Sequence, residues 1–220
     1  MTLFYNVRMD TLYILSQVFI VLAYAFNFAT YLFRNRTLIV TSNLISCCFS
    51  MISLLFLSAW TGLANVVVGI FRNLAFMIRD KVKGKDDHIT KTDWCIYSGI
   101  EVATITVGIL TYAGLPSIMA MFSMTANSLA ITQKNPYLYK IVNIPASLTY
   151  VIYNFLITSY FGAICETVIF ITIIVGIIRD KIYYKKLNLS PLDLKAINEF
   201  KKQQEENLST TIEQKVDKSL

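Results

Sequence analysis

Two apolar stretches of this chain share the four residues IRDK just before their last residue, and they set the expectation for its fold. The first is WTGLANVVVGIFRNLAFMIRDKV, Trp60–Val82, and the second is YFGAICETVIFITIIVGIIRDKI, Tyr160–Ile182. Each apolar stretch is about 20 residues long, the length that an α-helix needs to cross the hydrocarbon core of a bilayer. The two stretches lie one hundred positions apart, which indicates an internal repeat.

The composition of the whole chain is that of a membrane protein. Hydrophobic residues make up 55% of the sequence and charged residues 15%, whereas an ordinary soluble domain carries about 25% charged residues. The mean hydropathy is +0.53. We therefore predict an all-α polytopic membrane protein with seven transmembrane helices, because the apolar residues cluster into windows of spanning length. The predicted spans are 11–33, 37–58, 61–79, 94–112, 115–132, 139–159 and 162–180.

The offset of one hundred extends over three spans on each side. Identical residues occur at Asn27/Asn127, Asn35/Asn135, Leu38/Leu138, Asn43/Asn143, Ile52/Ile152, Gly62/Gly162, Val68/Val168 and through the two IRDK endings. We predict two three-helix repeats, 11–80 and 115–182, joined by a linker helix at 94–112. Because one helix separates the two units, both enter the membrane from the same side, and the repeats are parallel. Such repeats place a substrate site near the midplane between them.

The membrane domain is predicted to occupy residues 1–186, and its basic loops orient it. Loops with Arg34 and Arg36, with Arg79 to Lys91, and with Lys134 and Lys140 alternate with loops that lack Lys and Arg. The positive-inside rule then places the N-terminus outside and the C-terminus in the cytoplasm. Residues 187–220 are expected to form a cytoplasmic tail, with a short helix beginning at SPLD (Ser190–Asp193) and a disordered end.

Three charged residues lie inside the predicted spans: Arg72, Glu101 and Glu166. A charge at mid-bilayer costs about 2.5–3.5 kcal/mol on insertion scales, so each should face the bundle interior. Counting residues from the cytoplasmic ends places Arg72 and Glu101 at similar depth, and we predict that they form an ion pair. Glu166 would then face the outer part of a cavity. The alternative is that these charges only lock helices together.

Asparagines supply the remaining candidates for a binding site. Together with Arg72 and Glu166, the candidate substrate-binding residues are Asn27, Asn73, Asn127 and Asn154. Amides that face a cavity suit an uncharged polar ligand, whereas helix–helix hydrogen bonding is the alternative role for each of them.

Several kinds of chemistry are not indicated. No phosphate-binding glycine loop and no nucleophile motif is present, so we predict that the protein is not an enzyme and holds no cofactor. The single histidine, His88, lies in a charged loop, and the four cysteines lack metal-ligand spacing, so no metal site is predicted. Net charge +6 reflects basic residues beside apolar spans rather than a nucleic-acid surface.

The arrangement of three helices, a linker and three helices resembles the SWEET/PQ-loop superfamily, which includes the PnuC-type vitamin transporters. In detail, FRN (Phe71–Asn73), YNF (Tyr153–Phe155), Gly162 and Glu166 resemble the YgjV-type bacterial inner-membrane proteins. The resemblance implies a multi-pass protein of the bacterial inner membrane. We expect a small-solute transporter whose partners are the lipid bilayer and an unknown small polar molecule. A non-transporting scaffold with a structural polar core remains the alternative, and a homo-oligomer is left open.

Overall fold

The computed structural model describes residues 2–56, 60–82, 89–112, 114–156, 160–193, 195–200 and 202–203, with the side chains of 2–10 and 60–62 excepted. Every regular element in these residues is helical, so the predicted all-α class is confirmed. Seven long helices follow one another: α1 Thr2–Leu32, α2 Arg36–Phe56, α3 Trp60–Val82, α4 Lys91–Leu110, α5 Leu115–Thr132, α6 Pro136–Leu156 and α7 Tyr160–Lys186. Residues 195–200 and 202–203 are also helical.

Five of these helices are long and apolar enough to cross a membrane, which fits a multi-pass membrane protein. They contain the spans Thr11–Leu32, Arg36–Phe56, Lys91–Leu110, Leu115–Thr132 and Tyr160–Lys186. Among the described residues, α3 and α6 fall outside this set. Both carry polar side chains that are buried in the bundle, including Arg72 and Asn73 in α3 and Lys140 and Asn143 in α6.

The packing of the bundle is the reverse of that in a soluble protein. Ser16, Thr30 and Ser123 are fully buried in the interior, whereas large apolar residues such as Phe71 and Ile164 point outward. Several buried hydroxyl groups donate to carbonyl groups of neighbouring helices, as when Ser53 donates a hydrogen bond to the Ser16 carbonyl at 2.9 Å. An apolar exterior around a hydrogen-bonded polar interior is suited to lipid as the surrounding solvent.

Short connections make neighbouring helices antiparallel, and each long helix packs against the next along the chain. Two further contacts close the bundle, α1 against α7 and α3 against α5. The ends of α1, α3, α5 and α7 and the starts of α2, α4 and α6 meet at what we call the charged end. Asn35 begins α2 and Asn135 begins α6, because their side-chain oxygens accept hydrogen bonds from the N–H groups of Thr37 and Tyr137.

The segment after α7 turns back to the bundle. Asn135 donates a hydrogen bond to the Pro191 carbonyl at 2.8 Å, and Ile197 is buried. Ser190 does not begin the helix as the sequence predicted. Instead Asp193 does so, because its carboxylate accepts the N–H of Ala196 at 3.0 Å. The predicted disordered end of the tail, and the loop with His88, lie outside the described residues.

Candidate functional site

A cavity of about 240 Å³ lies in the middle of the bundle, and all seven long helices contribute to its wall. It is bounded near mid-height by α1, α2, α4 and α5, and it extends toward the starts of α3 and α7. Polar side chains form much of the lining, namely Tyr24, Asn27, Asn43, Ser46, Cys47, Ser50, Asn65, Arg72, Thr104, Asn127, Ser128, Tyr150 and Glu166. A cavity with several convergent polar groups is a candidate ligand site.

Many of the lining residues occur in pairs that lie one hundred positions apart. Four pairs contribute both members to the wall: Tyr24/Met124, Asn27/Asn127, Ser50/Tyr150 and Val66/Glu166. Residues that lie one hundred positions apart in the sequence therefore border the same space.

Arg72 is the cation of the cavity. Its side chain is buried, and one guanidinium nitrogen donates a hydrogen bond to the Ser128 hydroxyl at 3.3 Å. The Nε atom is also buried, and it has no hydrogen-bond partner. Nothing in the described residues makes an ion pair with Arg72, so the predicted pair with Glu101 is wrong.

Glu101 is bound by a different residue, and this explains the error. The Thr125 hydroxyl donates to its carboxylate at 2.7 Å, while the second carboxylate oxygen is buried without a partner. Thr125 and Ser128 are one turn apart on α5, so they offer neighbouring hydroxyl groups on one face of that helix. These hydroxyls bind the two charges separately, although the charges lie at similar depth.

Glu166 lines the cavity. The sequence had predicted that it would face the outer part of such a cavity. A carboxyl group from α7 and the Arg72 guanidinium from α3 therefore line one cavity, and no ion pair joins them among the described residues.

The four candidate asparagines divide into two groups. Asn27 and Asn127 line the cavity, and the side-chain oxygen of Asn127 is buried without a partner. Asn73 is not part of the lining; it donates to the Asn43 side chain at 2.8 Å and so joins α3 to α2. Asn154 donates to the Tyr150 carbonyl of its own helix at 2.8 Å and is also outside the lining.

Residues 14–183 match the family described as bacterial inner membrane protein, Imp-YgjV. The chain belongs to the Imp-YgjV family. The matched range contains every residue that lines the cavity. Neither a curated protein nor a solved structure matches the chain.

Sequence reasoning missed several polar residues that line the cavity of this Imp-YgjV protein. Ser46, Ser50, Ser128 and Tyr150 are common residue types in apolar helices, so their identity alone carried no signal. The offset of one hundred could have identified two of them, because Ser50 and Tyr150 occupy corresponding positions.

An apolar layer separates the cavity from the charged end. Its buried members are Tyr31, Ile39, Phe76, Ala130, Ile131, Tyr139, Ile169 and Ile173. The rings of Tyr31 and Tyr139 stack with their centroids 5.8 Å apart. The packed side chains of this layer lie between the cavity and that end of the bundle.

Two ion clusters lie beyond the apolar layer, each centred on the aspartate of an IRDK sequence. Asp80 accepts hydrogen bonds from Arg36 at 2.7 Å and from Lys134 at 3.1 Å. Asp180 accepts from Arg34 at 2.9 Å and from Lys140 at 2.5 Å. Lys140 was expected in a loop; it lies in α6 and is fully buried, because Asp180 provides the opposite charge.

The first cluster continues to α4. Asp93 is fully buried and contacts both Arg79 at 2.7 Å and Lys134 at 3.1 Å. Burial lowers the pKa of Lys134 by desolvation, and the neighbouring Arg36 lowers it further. Among the described residues, no group of His, Cys, Asp and Glu is arranged to hold a metal ion.

Proposed function

We propose that this Imp-YgjV protein is a small-solute carrier, with its binding site in the central cavity between two parallel three-helix repeats. One observation carries the proposal: a cavity bounded by all seven helices, with buried polar atoms of Arg72 and Asn127 that lack partners. Buried polar groups in proteins are nearly always hydrogen-bonded, so unsatisfied atoms on residues that line a cavity suit a polar ligand.

Hydrogen bonds inside the two three-helix segments support the repeat. Ser46 on α2 donates to the Ala23 carbonyl on α1 at 2.7 Å. One hundred residues later, Ser123 on α5 donates to the Ala146 carbonyl on α6 at 2.6 Å. Corresponding positions are thus joined in both segments, with the serine and the alanine exchanged.

Contacts between the two segments correspond as well. Arg34 of the first segment pairs with Asp180 of the second, and Lys134 of the second pairs with Asp80 of the first. If the first and the second segment are interchanged, the contact of α1 with α7 becomes the contact of α5 with α3, and both contacts are present. A two-fold axis along the membrane normal accounts for both pairs, and it is the arrangement of the SWEET/PQ-loop architecture.

The charged end would act as the closed side of the carrier. The apolar layer and the two ion clusters lie between the cavity and that end, and both clusters join the two segments. Exchange between open states would require the cross-segment pairs Arg34–Asp180 and Lys134–Asp80 to separate. Rocking of one repeat against the other about a central site is the general route of alternating access.

The charged end is assigned to the cytoplasm. Basic residues are concentrated in its connections, whereas the connections at the opposite end lack Lys and Arg. The positive-inside rule then places the N-terminus outside and the C-terminus in the cytoplasm of the bacterial inner membrane.

Ligand-dependent thermal unfolding of the purified protein tests the proposal. The panel comprises vitamins, nucleosides, sugars, amino acids and small organic acids. A solute that binds the folded state raises the apparent unfolding temperature in a concentration-dependent way. We expect at least one compound to do so, and Asn127→Ala to weaken its effect.

Asn154→Ala is the matched control, because it removes an amide of the same type outside the cavity. Equal loss of the effect in both variants, or no compound that stabilises the protein, would contradict a ligand site in this cavity.

The second candidate function is a non-transporting scaffold whose polar core is structural. It is favoured by Asn73, whose amide joins α3 to α2 through Asn43 and is not part of the cavity wall. In a scaffold, the cavity would hold only water, and substitutions of its lining would change stability without changing solute binding.

A further inference from the structure

We propose that the solute bound in the central cavity carries a carboxylate, and that Arg72 binds this group. The inference rests on the proposed function, since it names the chemical class of ligand for the same cavity. It begins from a difference between Arg72 and the other buried cations of the bundle.

Four cationic side chains are buried among the described residues: Arg72, Arg79, Lys134 and Lys140. Three of them contact a carboxylate directly. Arg79 pairs with Asp93 at 2.7 Å, Lys134 with Asp93 at 3.1 Å and Lys140 with Asp180 at 2.5 Å. Arg72 has only the neutral Ser128 hydroxyl at 3.3 Å.

A buried guanidinium without a counter-charge is costly, because it has lost its water and gained no anion. Among the described residues, neither Glu101 nor Glu166 makes an ion pair with Arg72. Glu101 accepts a hydrogen bond from Thr125 instead. The counter-charge of Arg72 is therefore expected to come from the ligand.

The geometry of the guanidinium favours a carboxylate over a simple anion. Its N–H groups form a planar fork that matches the two oxygens of a carboxylate. Arg72 lines the cavity, and its Nε is buried without a hydrogen-bond partner.

The rest of the cavity sets the size and the second group of the ligand. A cavity of about 150 Å³ holds benzene, so the observed volume of about 240 Å³ suits a solute of about ten non-hydrogen atoms. The unpaired oxygen of Asn127 and the Glu166 carboxylate both accept hydrogen bonds. A ligand that also carries a donor, such as a hydroxyl or an ammonium group, would satisfy them.

The experiment compares small acids with the amides that lack their carboxylate charge, in thermal unfolding of the full-length protein. The acids are propionate, lactate and alanine, and the amides are propionamide, lactamide and alaninamide. We expect the acids to raise the unfolding temperature. The amides should need at least tenfold higher concentrations to raise it by the same amount. Comparison of lactate with alanine then distinguishes a hydroxy acid from a zwitterion.

Two variants link the effect to Arg72. Arg72→Gln should abolish stabilisation by the acids, and Arg72→Lys should weaken it about tenfold or more, because a lysine cannot form the planar fork. Without ligand, Arg72→Gln should unfold at the temperature of the wild-type protein or above it, since no protein carboxylate loses a partner. Arg79→Gln, which leaves Asp93 without its arginine, should unfold at a lower temperature.

Each remaining outcome contradicts a different statement. If neutral solutes stabilise the protein and the acids do not, the carboxylate assignment is wrong and the carrier proposal stands. If no compound in either panel stabilises it, both are wrong. If Arg72→Gln without ligand unfolds as early as Arg79→Gln, Arg72 is a structural residue and not a ligand-binding one.

Discussion

Replacement of Gly176 by alanine should loosen the contact between α1 and α7, one of the places where the three-helix segments meet. A Cβ atom at Gly176 would lie 2.5 Å from the carbonyl oxygen of Tyr31. Ordinary contacts begin at 3.4 Å, so the helices would have to separate by about 0.9 Å. The clashing atom belongs to the backbone of α1, so no side-chain rotation can relieve the overlap.

The expected loss of stability follows from two opposing effects. Overpacking a well-packed site costs about 1–3 kcal/mol, and replacing glycine by alanine within a helix returns up to about 1 kcal/mol. We expect a net loss of about 1–2 kcal/mol, which corresponds to a fall of about 2–8 °C in the unfolding temperature for a chain of this size.

Two other glycines provide controls in the same thermal-unfolding assay. A Cβ at Gly99 would meet nothing within 4 Å, so Gly99→Ala should be neutral or stabilising. A Cβ at Gly108 would meet only the flexible side chain of Met121, so its effect should be smaller than that at Gly176. If Gly176→Ala unfolds at the same temperature as Gly99→Ala, the close approach of α1 and α7 is refuted.

Three further predictions concern the ion clusters, the polar core and the orientation. Asp180→Asn should lower the free energy of unfolding by about 3–5 kcal/mol, because it strands the buried Lys140; the double change Asp180→Leu with Lys140→Met should recover most of this loss in chemical unfolding. Asn73→Ala should cost about 1–3 kcal/mol, because the Asn43 oxygen loses its donor, and unchanged stability would refute that role. A reporter active only in the cytoplasm should be active when fused after Lys185 and silent when inserted at Pro116; the opposite result would reverse the orientation.

The helices could be predicted from sequence because their signal is one of length and composition. Apolar windows bounded by polar connections place the seven long helices, and the spans agree with the observed bounds to within a few residues except at α1, which begins at Thr2, and at α7, which ends at Lys186. The charged end was harder to interpret. Arg34, Lys134 and Lys140 had been taken as orientation signals in loops, and the structure shows them bound to the aspartates of the two IRDK sequences.

The candidate site was only partly predictable, because depth can be counted from sequence and rotation about a helix axis cannot. Asn127 lies on α5, whose apolar residues are spread around the helix, so no amphipathic pattern fixes which of its faces turns inward. Sequence reasoning therefore did not separate Asn127 from Asn154, although Asn127 lines the cavity and Asn154 donates a hydrogen bond within its own helix. The same limit produced the wrong partner for Arg72.

Solute flux through the protein in sealed vesicles tests the carrier proposal most directly. The solute is the compound that most strongly stabilises the purified protein, added in labelled form to vesicles containing the wild-type protein, Asn127→Ala, Asn154→Ala or no protein. The account predicts saturable uptake with the wild-type protein and Asn154→Ala, and reduced uptake with Asn127→Ala. Uptake no greater than that of vesicles without protein, despite binding, would contradict transport and favour the scaffold.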